Sequence, residues 1–97
     1  MIRVRFRPEA TTDVADARAW YVERDPELGA AFLAEVDTVV GRIAALPGQF
    51  PRVHADVRRA LVRRFPYALF FVEEQGTVVV LAVLHQARHP RVWRDRH

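Results

Sequence analysis

The sequence predicts an α+β domain: a helical hairpin packed on one face of a small, mostly antiparallel four-stranded sheet. Three observations predict it. Residues 8–46 carry apolar side chains at three- and four-residue steps, broken only at Asp25-Pro26. Residues 57–85 instead hold short apolar runs of strand length, divided by Phe65-Pro66 and Gln75-Gly76. At the start of the chain, Ile2, Val4 and Phe6 alternate with Arg3, Arg5 and Arg7. A chain of 97 residues supports one core, so residues 1–97 are read as a single domain.

The alternation at the N-terminus predicts a short strand with one apolar face. Pro8 suits the first turn of a helix, whose apolar side is Val14, Ala17, Trp20 and Tyr21 and whose wet side holds Asp13, Asp16, Arg18 and Glu23. Asp25-Pro26-Glu27 restarts the helix, with an N-cap carboxylate, a proline at the first helical position and an acid in the first turn. Leu28, Phe32, Val36, Val39, Ile43 and Leu46 then form the stripe of a second helix, which Pro47-Gly48 ends. With almost no loop between them, the helices should run antiparallel. Gln49–Asp56 reads as a loop. Strands are expected at Val57–Arg64, Tyr67–Glu74 and Val78–His85, neighbours antiparallel across tight turns.

Composition narrows the function. The chain is 51% apolar and 28% charged, which favours folding over disorder. No apolar run approaches the ~18 residues of a membrane span, the N-terminus lacks a signal-peptide block, and there is no Cys. A cytoplasmic protein without disulfides or thiolate metal sites is expected. All 15 basic residues are Arg. Abundant Ala and Val with no Ser or Asn fit a GC-rich coding bias, but that bias does not set where the arginines lie. Residues 1–49 hold six Arg and eight acids, net −2; residues 50–97 hold nine Arg and four acids, net +5, with all four His. The C-terminal half is therefore expected to meet a phosphate-bearing or acidic partner.

Two strands carry a further expectation. Tyr67–Val72 and Val78–Leu84 are apolar on both faces, whereas an antiparallel strand with one wet face alternates. One helical hairpin covers one face. The other should be covered by a partner chain or second copy, or by the C-terminal segment folding back.

The chemistry available is limited. There is no Ser, Cys or Lys, and the four threonines sit in no nucleophile motif. His85 and His89 stand at a strand exit before Pro90, with no acids to complete a metal site, so no metal or cofactor is expected. Glu73 and Glu74 flank a turn and read as solvated. What remains is an Arg/His set: Arg58, Arg59, Arg63 and Arg64 on one strand, and His85, Arg88, His89, Arg91, Trp93, Arg94 and Arg96 beyond the last. Such a set could serve metal-free RNA cleavage, with His as acid or base and Arg stabilising phosphate charge, or it could bind an acidic partner.

In their order and spacing, several motifs make the chain resemble the RelE/ParE superfamily of type II toxin–antitoxin toxins. They are Phe6-x-Pro8-x-Ala10-x-x-Asp13, Pro47-x-x-Phe50-Pro51, Val57-Arg58-Arg59, Pro66-Tyr67-x-Leu69-Phe70-Phe71 and Leu84-His85-x-x-Arg88-x-Pro90-x-x-Trp93-x-x-Arg96. The resemblance implies a growth-inhibiting toxin in a hetero-oligomer with its antitoxin, whose binding residues would be Tyr67, Leu69, Phe71, Val79 and Leu81. It allows two activities. RelE-like members are mRNA endoribonucleases acting on the ribosome, for which Arg59, Arg63, His85 and Arg88 would be the working residues. ParE-like members inhibit DNA gyrase, and the target would meet Arg58, Arg59, Arg63, Arg88, Arg91, Trp93 and Arg94. Ala68 follows Tyr67 where RelE-like ribonucleases commonly have Arg, their typical Lys residues are absent, and Trp93 stands at best in place of a C-terminal Tyr. The ParE-like reading is favoured. A non-toxic protein-interaction module is the third alternative.

Overall fold

Pro8 opens the first helix as its sequence predicts. In the computed structural model, which describes residues 1–87 and 91–96, α1 spans Pro8–Arg24 and α2 spans Pro26–Ala45. Asp25 alone joins them. Its backbone N–H closes α1 on the Tyr21 carbonyl, and its carboxylate accepts the Glu27 N–H at 2.9 Å to cap α2. A one-residue joint forces the helices against each other, and Gly29 of α2 is where they meet. A Cβ there would collide with Cγ2 of Val22. Because Val22 is β-branched and stiff, it cannot rotate away cheaply. Gly29→Ala should therefore destabilise the fold by roughly 1–3 kcal/mol despite the better helix propensity of Ala. Urea unfolding tests this, and a stabilised variant would show that the crossing is loose.

The apolar stripe of α2 is confirmed at Phe32, Val36, Val39 and Ile43, all buried. Each such side chain contributes about 1.5–3 kcal/mol. Leu46 departs from the stripe. It lies past the helix end and is 60% exposed. Trp20, expected on the inner side of α1, is 48% exposed.

The sheet has five strands, one more than expected: β1 Arg3–Phe6, β2 Arg52–His54, β3 Val57–Leu61, β4 Tyr67–Glu74 and β5 Thr77–His85. Their order is β1-β5-β4-β3-β2, with β1 parallel to β5 and all other neighbours antiparallel. The extra strand lies in the segment read as a loop. Ala55 adopts φ 49° and turns the chain, so that Arg52 pairs with Arg58 and Arg59 N–H donates to the Pro51 carbonyl. β3 stops at Leu61 instead of Arg64, which takes φ 70° and bends the chain away. Gln75 and Gly76, both at positive φ, make the two-residue turn that suits a twisted hairpin.

A bulge at Phe70/Phe71 changes which side chains share a face. Leu69 pairs with Val83 and Phe70 with Ala82, but Phe71 pairs with Val80. One residue of β5 is thus extra, and Leu81 turns away from the face it would otherwise share with Phe71. Leu69, Phe71, Val78, Val80 and Val83 pack under the hairpin; Phe70, Val72, Val79, Leu81 and Ala82 form a second cluster on the opposite face.

That opposite face is covered by the chain itself. A short helix, α3 (Arg91–Arg96), lays Trp93 on it, 3% exposed, with its ring stacked on Phe70 at 5.1 Å and 12°. Val57, Val72, Val79 and Leu81 are almost fully buried. Of the covers expected for this face, the structure shows the C-terminal segment folding back, not a partner chain or second copy: one large indole, stacked on Phe70, shields the cluster. No described helix is long and apolar enough to cross a membrane.

Candidate functional site

The motif residues near the two ends of the chain meet in space. Parallel pairing with β1 ends at Phe6–Val80, and the Arg7 N–H donates to the Val80 carbonyl. Beyond that point no strand among the described residues lies beside this edge of β5. Asp13 of α1 and Arg96 of α3 take its place. Asp13 Oδ2 accepts the Val83 N–H at 3.0 Å and Arg96 Nη1 at 2.6 Å, while the same Nη1 reaches the Leu81 carbonyl at 3.2 Å. The carboxylate and guanidinium thus satisfy the strand edge as a missing strand would. Asp13, read from the sequence as a wet-side residue, is a half-buried structural group.

Arg58 has a similar task. Its Nη1 donates to the Phe50 carbonyl at 2.6 Å, tying β3 to the turn after α2. It is half-buried, so of the expected target-binding set it is first a structural anchor. Trp93 is another correction: it packs inward and offers no contact surface. Arg59, Arg63 and Arg94 are exposed, and none has a carboxylate partner among the described residues. Arg88 and the Arg91 side chain lie outside the described residues.

The residues expected to bind antitoxin are scattered by the bulge. Leu69 and Phe71 are fully buried under the hairpin, Val79 and Leu81 are buried on the other face, and only Tyr67 is partly exposed. As the chain stands, four of the five have no surface to offer. The signal that misled was the double apolar run, which marks burial but not what does the burying.

The ribonuclease constellation is divided as well. Arg59 pairs with Phe70 and shares the α3 side of the sheet; His85 pairs with Tyr67 on the hairpin side. Two strand spacings, about 10 Å, also separate β3 from β5. His85 is held locally: its Nδ1 accepts the Ala87 N–H at 3.1 Å and its ring meets Tyr67 edge-on at 5.4 Å. Tyr67 in turn contacts Tyr21 and Phe32. Burial, with the neighbouring Tyr67 adding to it, raises the Tyr21 phenol above its ordinary pKa, so it stays a neutral hydroxyl. Among the described residues no group of three or more His, Cys, Asp or Glu is placed to hold a metal.

Charge is divided unevenly between the long helices and the rest of the chain. Residues 8–45, the two long helices and their joint, carry eight acids against three arginines; the rest of the chain carries four acids against twelve. The sequence profile of the ParE toxin of the parDE type II toxin–antitoxin system matches residues 4–90. The chain belongs to this family. Among solved structures, the toxin's fold is similar to a chain of the chromosomal ParDE toxin–antitoxin system from P. aeruginosa, with a TM-score of 0.78. That alignment covers 88% of the toxin and 96% of the other chain at 18% identity. None of the curated proteins matches the sequence. The toxin is accordingly one half of a toxin–antitoxin pair, and an antitoxin is its partner.

Proposed function

We propose that the toxin stops bacterial growth by binding DNA gyrase through its Arg-rich face, and that its cognate antitoxin holds it inactive in a hetero-oligomer. Acting on gyrase places it in the cytoplasm. The observation that carries this reading is the family match over residues 4–90. Exposed guanidiniums at Arg59 and Arg63, which have no carboxylate partner among the described residues, support a protein or nucleic-acid target, since a cation without a counter-charge can meet one outside. The separation of Arg59 from His85, and Ala68 beside Tyr67, weigh against the ribosome-dependent endoribonuclease alternative.

Purified toxin should inhibit gyrase supercoiling and leave translated mRNA uncut in primer extension. The Arg59→Ala/Arg63→Ala variant should fold normally, because both side chains are exposed, yet need roughly ten-fold more protein for the same inhibition. Cleavage of mRNA on the ribosome would instead assign the chemistry to Arg59, Arg63, His85 and Arg88. No effect of induced expression on growth would leave an interaction module.

A further inference from the structure

Both sheet faces are covered, but a recess opens on the hairpin side. A cleft of about 630 Å³ opens between α1 and the ends of β4 and β5. Buried Tyr21 and half-buried Tyr67 line it, exposed Asp16 and Trp20 flank it on α1, and His85 and Ala87 line it at the end of β5. Of the large apolar side chains left exposed (Met1, Trp20, Leu46 and Leu61), Trp20 alone lines this cleft. An indole 48% exposed at a cleft is the kind of group that anchors protein interfaces. It is also held in place: Arg24 lies 3.2 Å from the Trp20 ring centroid and donates to the Trp20 carbonyl at 2.7 Å. Little side-chain freedom is left to lose on binding. Asp16 has no hydrogen bond or ion pair among the described residues, and it belongs to the acidic helical layer.

We infer that this cleft is where the antitoxin docks, through a segment that sets an aromatic or aliphatic side chain against Trp20 and an Arg or Lys against Asp16. The inference rests on the toxin–antitoxin reading above and gives that partner a place. The occupant abuts His85 and Ala87, the residues leading into the Arg-rich C-terminal stretch, and leaves Arg59 on the opposite face.

The test uses the full-length toxin and the protein encoded by the adjacent reading frame, measured by calorimetry and by rescue of growth. Trp20→Ala should weaken binding by about ten-fold or more, and Asp16→Arg by about five-fold. Both variants should still arrest growth when expressed alone, and co-expressed antitoxin should no longer rescue it. Leu61→Ala, an exposed apolar side chain elsewhere, should bind and be rescued normally. Unchanged affinity in both folded cleft variants overturns the cleft while leaving the toxin reading in place. An equal loss in Leu61→Ala places the docking on the sheet edge and also overturns it. A wild-type chain that neither arrests growth nor binds the adjacent product sinks both readings.

Discussion

Replacing Trp93 with Ala is expected to lower the stability of the toxin by roughly 3–5 kcal/mol, the range for truncating a buried Trp. The indole is 3% exposed and stacked on Phe70, and it belongs to a cluster with Val57, Val72, Val79 and Leu81. Its loss opens a cavity and also bares the centre of an apolar sheet face. For a domain of this size the midpoint of thermal unfolding should fall by more than about 10 °C. The variant should also bind a hydrophobic dye such as ANS at temperatures where the wild type does not. A loss under about 1 kcal/mol, or no dye binding, would mean that α3 contributes little and that the face finds other cover. Because Trp93 sits in the family-like C-terminal motif, loss of toxicity in this variant alone would say nothing about target contact; the stability measurement separates the two.

The second large effect is expected at the ion pair between α1 and α3. Asp13→Ala leaves the Arg96 guanidinium without its carboxylate and the Val83 N–H without an acceptor. An uncompensated buried pair can cost 3–5 kcal/mol, but these side chains are 14% and 19% exposed, so water offsets part of that. A loss of about 2 kcal/mol is the expected result. Arg96→Met should cost a similar amount, and the double variant clearly less than both added together, because the second change removes a group already orphaned. Strict additivity in that cycle would show that the two side chains act independently and that the strand edge is satisfied without them.

These two sites also show where sequence reading stops. The helices, their one-residue joint and the β4–β5 hairpin were legible because each is set by neighbours in the chain. Pro26 and Asp25 act within one turn of α2, and Gln75-Gly76 closes a two-residue loop. The double apolar character of β4 and β5 was legible too, and it correctly marked strands buried on both sides. The identity of the cover was not. One Trp in a six-residue helix offers little periodic signal, yet its stacked area seals the face.

The candidate site was legible only as chemistry. Exposed arginines at Arg59, Arg63 and Arg94 stand where a basic surface was expected, but Arg58 and Arg96, identical in type, are tied to backbone carbonyls. Charge alone does not separate a free guanidinium from a structural one. The cleft at Trp20 was missed because helical spacing placed that residue inside; its emergence at the rim depends on how α1 meets the strand ends.

By itself the sequence determined the fold class, the order of the first strand, the two long helices and the three strands after them, and the polarity of charge between the two halves of the chain, since all three follow from local propensity and composition. Only the tertiary structure decided that the sheet is clothed on both sides, that a bulge sends Leu81 away from Phe71, and that Asp13 meets Arg96 across 83 residues. Those outcomes depend on register and on contacts distant along the chain, where a one-residue shift reverses a face and no pattern within a short window records it.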